Sequence, residues 1–264
     1  MNPWLLLGIS WAVMAIIMHI FWLIQRRTQH ASIVDPVWAV GVGVLAVVFA
    51  LQADGLWERR MIIAALGGLW GIRLSAYLFT RVFGQPEDGR YLAMKEEWGD
   101  KAQSRFWFFF QIQALWAVMF AAPILVAAGN AAPELSSSDF VGIGIGIIAV
   151  IGEFIADRQL AVFRANPMNK GEVCQVGLWA WSRHPNYFFE WVYWWSYVAL
   201  GINAPSAWLT LGAPLVMLIF LLRVTGIPYT ELQAIKSRGD KYRAYQKNVS
   251  AFIPLPPKKG VNPS

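Results

Sequence analysis

Long apolar stretches alternate with short polar ones along nearly the whole chain. Seven apolar runs stand out, at residues 4–24, 36–51, 61–83, 106–128, 140–163, 187–202 and 207–222. A membrane-spanning helix needs about 20 apolar residues, or roughly 17 at the short end, so the second, sixth and seventh runs are the shortest fits. Between them lie only short loops. After the last run, "YTELQAIKSRGDKYRAYQK" reads as a basic amphipathic helix, and "IPLPPKKGVNPS" as a Pro-rich frayed end. No fixed-period repeat and no second domain is visible. The pattern predicts an all-α, polytopic membrane helix bundle of about seven spans. It forms a single domain over residues 1–264, with a basic C-terminal helix and tail at about 229–264.

Composition agrees with this. The chain is 57% hydrophobic and 14% charged, where soluble domains average roughly 45–50% and about 25%. The net charge of +6 fits loops facing anionic headgroups, so no nucleic-acid partner is expected. Arg26 and Arg27 follow the first run, and Arg90, Lys95, Lys101 and Arg105 lie between the third and fourth. Arg164, Lys170 and Arg183 lie between the fifth and sixth, and the tail is basic throughout. The alternate loops hold only Arg59 and Arg60. Seven spans with the N-terminus outside and the C-terminus cytoplasmic put every basic segment inside, in a bacterial inner membrane. The first run lacks a basic leading region, and "QRR" follows it, unlike a signal peptide. The single cysteine, Cys174, excludes a disulfide framework. His19 and His30 have no partner at ligand spacing, so no metal is expected.

Ionisable residues inside a span cost several kcal/mol by common estimates and mark function. The third run carries Arg73, Tyr77 and Arg81 within about 80° of one another on a helix. The fifth carries Glu153, Asp157 and Arg164 within about 40°. The sixth opens with Asn186, Glu190, Tyr193 and Tyr197 on one face. All three stripes sit toward the cytoplasmic ends, which predicts one polar cavity opening there. Gly67/Gly71 and Gly142/Gly146 are small-xxx-small pairs that allow close helix packing. No strand precedes them, so a dinucleotide-binding fingerprint is excluded.

The motifs "GLWAWSRHPNYFFEW", "EFIADRQLAVF", "DPVWAVG", "RLSAYLFTR…EDGRY" and "TGIPYTELQ…YRAYQKNVSAFIPLPP" resemble those of the bacterial DUF1295 membrane proteins. These are related to the steroid 5-alpha-reductases and membrane sterol reductases. The resemblance runs from Asp35 to Pro257. It implies NADPH-dependent reduction of an enone-type carbon–carbon double bond in a lipophilic, steroid-like or lipid substrate. It implies cofactor contacts at Arg73, Tyr77, Asp157, Arg164 and Asn186, with His184 and Glu231 completing the wall. Arg81 and Arg183 add charge for phosphates, since the guanidinium fork is always charged and bidentate, and Tyr187 adds a further polar wall. Asp35, as a protonated carboxyl, would polarise the substrate carbonyl, with Glu190 the next acid in line. Its bland alternative is an N-cap before Pro36. The sequence departs from the related pattern at two points. Trp70 stands near the position of a substrate-binding Tyr, and Phe189 replaces a usual Gly, which predicts crowding at the start of its helix.

Isoprenylcysteine carboxyl methyltransferases also carry an Arg-His-Pro-x-Tyr motif and a basic tail helix, and bind S-adenosylmethionine. Their tail has adjacent glutamates where this chain has Glu231 alone. A non-enzymatic lipid-binding or transport protein is the third alternative. The internal repeats expected of a transporter are not visible.

Overall fold

The computed structural model describes residues 1–83, 86–224 and 226–258. Among them the fold is all α, with no strand and one isolated parallel bridge between Ser182 and Ser250. The helices are α1 (Pro3–Thr28), α2 (Val34–Gln52), α3 (Trp57–Val82), α4 (Gly89–Trp98), α5 (Ala102–Ala128), α6 (Ser137–Ala165), α7 (Pro185–Leu200), α8 (Gly212–Ile219), α9 (Ile227–Arg238) and α10 (Asp240–Asn248). Six helical stretches among the described residues are long and apolar enough to cross a membrane. The sixth expected span is α7, whose 16 residues reach about 24 Å at 1.5 Å per residue. That is short of a hydrocarbon core of about 30 Å.

Contacts divide the chain into two compact units. The first comprises Met1–Phe140 and Tyr197–Ala213, the second Val141–Ser196 and Pro214–Ser264.

In the first unit, α2 packs against α3 through glycine. A Cβ on Gly71 would lie 2.7 Å from the Gly43 Cα, and one on Gly67 would lie 2.3 Å from the Ala46 Cβ. The pair Gly67/Gly71 therefore lets two backbones touch, which no side chain at those positions would allow. Local chemistry sets the helix ends. Asn2 Oδ1 accepts from Trp4 N at 2.9 Å, with Pro3 in the first turn of α1. Arg60 Nε donates to Ala50 O at 2.7 Å, satisfying a carbonyl at the end of α2.

In the second unit, the expected basic helix after the last run is two helices, α9 and α10, broken at Gly239. That residue adopts a positive φ of 57°, which glycine takes without steric cost. Leu232 stays exposed, but other apolar side chains of the pair turn inward. Ala234, Tyr242, Tyr245 and Val249 form a buried cluster with Val173 and Ile235 packed against it. The expected frayed end is pinned over its first part: Leu255 N donates to Trp181 O and Lys258 N to Asn248 O, both at 3.0 Å. Residues 259–264 of that segment lie outside the described residues.

Candidate functional site

In the first unit, Asp35 is the second residue of α2. The cap position belongs to Ile33, and no side chain caps the helix. The Asp35 carboxyl instead accepts two bonds. Arg90 Nη2 donates to its Oδ2 at 2.8 Å, and the Tyr91 hydroxyl donates to its Oδ1 at 2.7 Å. One expectation for Asp35 is thereby revised: it does not cap α2. Its carboxyl is instead met by Arg90 and Tyr91. Arg90 also reaches Asp88 through Nε (3.1 Å) and Nη2 (3.2 Å), and Arg81 Nη2 lies 3.3 Å from the same carboxylate. Burial opposes ionisation of Asp88, but the hydrogen bonds and charge of Arg90 outweigh it and hold the carboxyl below its ordinary range. Ser32 Oγ accepts from Asp88 N at 3.1 Å, and Lys95 pairs with Glu87. These contacts tie the loop before α4 to the start of α2. Arg73 and Tyr77 are half-buried on α3, and Arg81 is exposed. This stripe belongs to the first unit, as does Tyr197 at the end of the α7 stripe, whereas the α6 stripe and Asn186, Glu190 and Tyr193 belong to the second.

In the second unit, the turn before α7 is sewn onto the C-terminal segment. Arg183 N donates to Ser250 O at 2.8 Å, and Ser182 Oγ to Phe252 O at 2.8 Å. The Arg183 guanidinium is used internally. Its Nε donates to Glu231 Oε1 at 2.6 Å, and its Nη1 to the carbonyls of Gln246 (3.0 Å) and Val249 (2.6 Å). Arg183, expected as a phosphate ligand, here ties Glu231 to the C-terminal segment. Glu231 also meets His184 Nε2 at 3.4 Å and accepts from Gln246 Nε2 at 2.8 Å. Burial pushes the His184 imidazole below its ordinary range, outweighing the pull of the Glu231 carboxylate. A neutral ring facing a carboxylate through Nε2 carries its hydrogen there. The ring stacks on Tyr187, with centroids 5.4 Å apart and planes at 9°, and the Tyr187 hydroxyl lies 3.2 Å from Thr230 Oγ1.

On the same helix, Asn186 Nδ2 donates to Asp157 Oδ1 of α6 at 3.2 Å. The structure thus joins the two stripes predicted on those helices. Glu190 is buried one turn further along and accepts from Trp194 Nε1 at 3.0 Å. Arg164 is exposed at the end of α6. Phe189 is accommodated by α6: a Cβ on Gly152 would lie 2.4 Å from its ring, so the missing side chain on one helix makes room for the added one on the other.

Thr230 against Tyr187, Tyr242 and Gln246 around Glu231, and Tyr91 at Asp35 were not foreseen. No spacing rule finds them, because each pair joins two different helices.

The family model described as "Protein of unknown function (DUF1295)" matches residues 21–249. The chain belongs to the DUF1295 family. This is a membrane family of steroid 5-alpha-reductase-like proteins. An uncharacterized protein of the fission yeast Schizosaccharomyces pombe is 25% identical over 266 residues, covering 89% of this chain and 76% of the yeast protein. The similarity therefore extends beyond bacteria, which corrects the bacterial restriction read from the motifs. No solved structure matches closely enough to count as related. This DUF1295 protein is an integral membrane protein, as its apolar helices indicate.

Proposed function

We propose that this protein is a membrane-embedded, NADPH-dependent reductase of a carbon–carbon double bond in a lipophilic substrate. The observation that carries the reading is the Asp157–Asn186 hydrogen bond. It sets a carboxylate and a carboxamide side by side at the start of α7, next to the stacked His184–Tyr187 pair. The donor set fits a pyridine nucleotide. A carboxylate accepts from ribose hydroxyls, and a carboxamide both donates to and accepts from a nicotinamide carboxamide. Arg164, exposed at the end of α6, is the residue proposed to meet a cofactor phosphate. When bound, NADPH supplies the hydride. The protein's part is to hold the nicotinamide end through Asp157 and Asn186 and to keep His184 neutral. Asp35 is left out of the proposed chemistry because both its oxygens already accept from Arg90 and Tyr91.

The proposed orientation keeps the N-terminus outside and the C-terminus in the cytoplasm. The alternate loop's two cations support it. Arg59 is buried on Asp139, and Arg60 is spent on the carbonyl of Ala50, so neither acts as a loose loop charge in the positive-inside balance. Reporter fusions at Met1 and Ser264 are expected to report opposite sides. Both on one side would reject this topology.

Titration of the detergent-purified protein with NADPH and, separately, with S-adenosylmethionine tests the function. NADPH is expected to bind. Asp157→Ala and Arg164→Ala should each weaken it about ten- to a hundredfold, the equivalent of one charge-assisted contact of about 1.5–3 kcal/mol, with an unchanged elution profile. Binding of S-adenosylmethionine alone would make the protein a methyltransferase. Binding of neither would leave a non-enzymatic role, and full NADPH affinity in both variants would remove α6 from the site.

A further inference from the structure

The face of α6 that carries Ile148, Ile151 and Ile155 is exposed, at 62%, 53% and 40%. It turns away from Asp157, since Ile155 and Asp157 are about 200° apart on the helix. A groove of about 550 Å³ runs along it, walled by Leu178, Trp181, Phe189 and Pro254. It adjoins a second hollow of about 440 Å³, and Ile155 and Gln159 line both. The groove is held open by specific contacts. Gln159 Oε1 accepts from Leu178 N at 2.9 Å, which fixes the loop wall to the helix. Gly177, at a φ of +56°, leaves the room that the Gln159 amide occupies. Phe189 is seated against Gly152.

Both parts of the groove are lined mostly by apolar side chains, the second by Ile155, Val162, Phe163 and Val176, but there Arg158, Asn166 and Asn169 join the lining. Arg158 is exposed and, among the described residues, its side chain makes no ion pair or hydrogen bond. Ile148 and Arg158 are ten positions apart on α6, about 15 Å of helix rise. That is half of a hydrocarbon core of about 30 Å, the depth of a single leaflet.

We propose that this groove binds one anionic phospholipid of the surrounding bilayer, with an acyl chain along Ile148, Ile151, Ile155 and Phe189 and the phosphate at Arg158. An ordinary lipid-facing helix surface would be wetted by any lipid. Here an unpaired guanidinium stands beside an apolar trough, one leaflet depth of helix rise from Ile148, and a phosphate is the group that a guanidinium pairs with best. The proposal depends on the membrane location alone, not on the reductase reading.

The test uses the full chain in nanodiscs of phosphatidylglycerol and phosphatidylcholine in equal parts, extracted into mild detergent, with retained lipid counted by native mass spectrometry. The wild type is expected to keep a phosphatidylglycerol in preference to phosphatidylcholine. Arg158→Gln should cut that retention about tenfold, the loss of one charge-assisted contact. Ile155→Trp, which fills the trough and leaves the charge, should cut it as well. Both positions are exposed, so neither change disturbs the core. Equal retention of the two lipids by the wild type would overturn the proposal. So would an effect of Arg158→Gln with none of Ile155→Trp, which means headgroup attraction without a groove. A dimer that Ile155→Trp dissociates would also overturn it, since a second copy would then cover this face.

Discussion

Replacing Arg59 by methionine is expected to destabilise the protein by about 3–5 kcal/mol, the usual cost of breaking a buried ion pair from one side. Arg59 and Asp139 are both fully buried. The guanidinium meets the carboxylate through Nε at 2.6 Å and Nη2 at 2.9 Å. It also donates to the carbonyls of Asn130 (2.8 Å), Ala132 (3.2 Å) and Glu134 (2.9 Å). One side chain thereby fixes the start of α3, the connection after α5 and the start of α6. Methionine keeps the volume but leaves a buried carboxylate and three carbonyls without their donor. Arg59→Lys should rescue little, because a single ammonium cannot span this fork of acceptors. Removing both charges with Arg59→Met/Asp139→Leu should recover only part of the loss. The carbonyls stay unpaired, and Ser136, whose N donates to Asp139 Oδ2 at 2.8 Å, loses its acceptor. Thermal or denaturant unfolding in a fixed detergent measures all three. A methionine variant within about 1 kcal/mol of wild type, the scale of a surface ion pair, would mean that the clamp contributes nothing beyond packing.

The second large effect is expected at Arg183. Arg183→Ala should cost about 3 kcal/mol or more, because Glu231 loses its 2.6 Å partner in a nearly buried place and two carbonyls lose a charged donor. The loss should be local in its symptoms. The segment after α9 carries Lys241, Arg243, Lys247 and Lys258, and trypsin should cut there in the variant at concentrations that leave the wild type intact. NADPH affinity should fall only as far as folded protein is lost. If melting and proteolysis stay at wild-type levels while NADPH binding weakens, Arg183 is a phosphate ligand after all and the clamp is incidental.

The sequence by itself determined the all-α membrane architecture, because the length and hydropathy of a run are local properties that a bilayer reads directly. It also determined the close approach at Gly67/Gly71, where absence of a side chain is the whole signal. The two stripes that meet as Asp157 and Asn186 were legible from the helical period, since i, i+4 spacing tells which residues share a face. The family motif was equally legible: its residues around Arg183 and Asn186 are contiguous.

Only the tertiary structure decided which partner each charge takes. Arg59 reaches Asp139 across 80 positions, Arg90 reaches Asp35 across 55, and Arg183 reaches Glu231 across 48. Helical periodicity gives the direction a side chain points but not what stands opposite. For this reason Asp35 read as a cap when Ile33 holds that position, and the contacts of Asp35 with Arg90 and Tyr91 and of Arg183 with Glu231 were not read at all. The same limit applied to Phe189, whose crowding is relieved by Gly152 on another helix. A buried charge is costly enough that its partner decides its role, and that partner is set by packing between helices, which no single stretch of sequence contains.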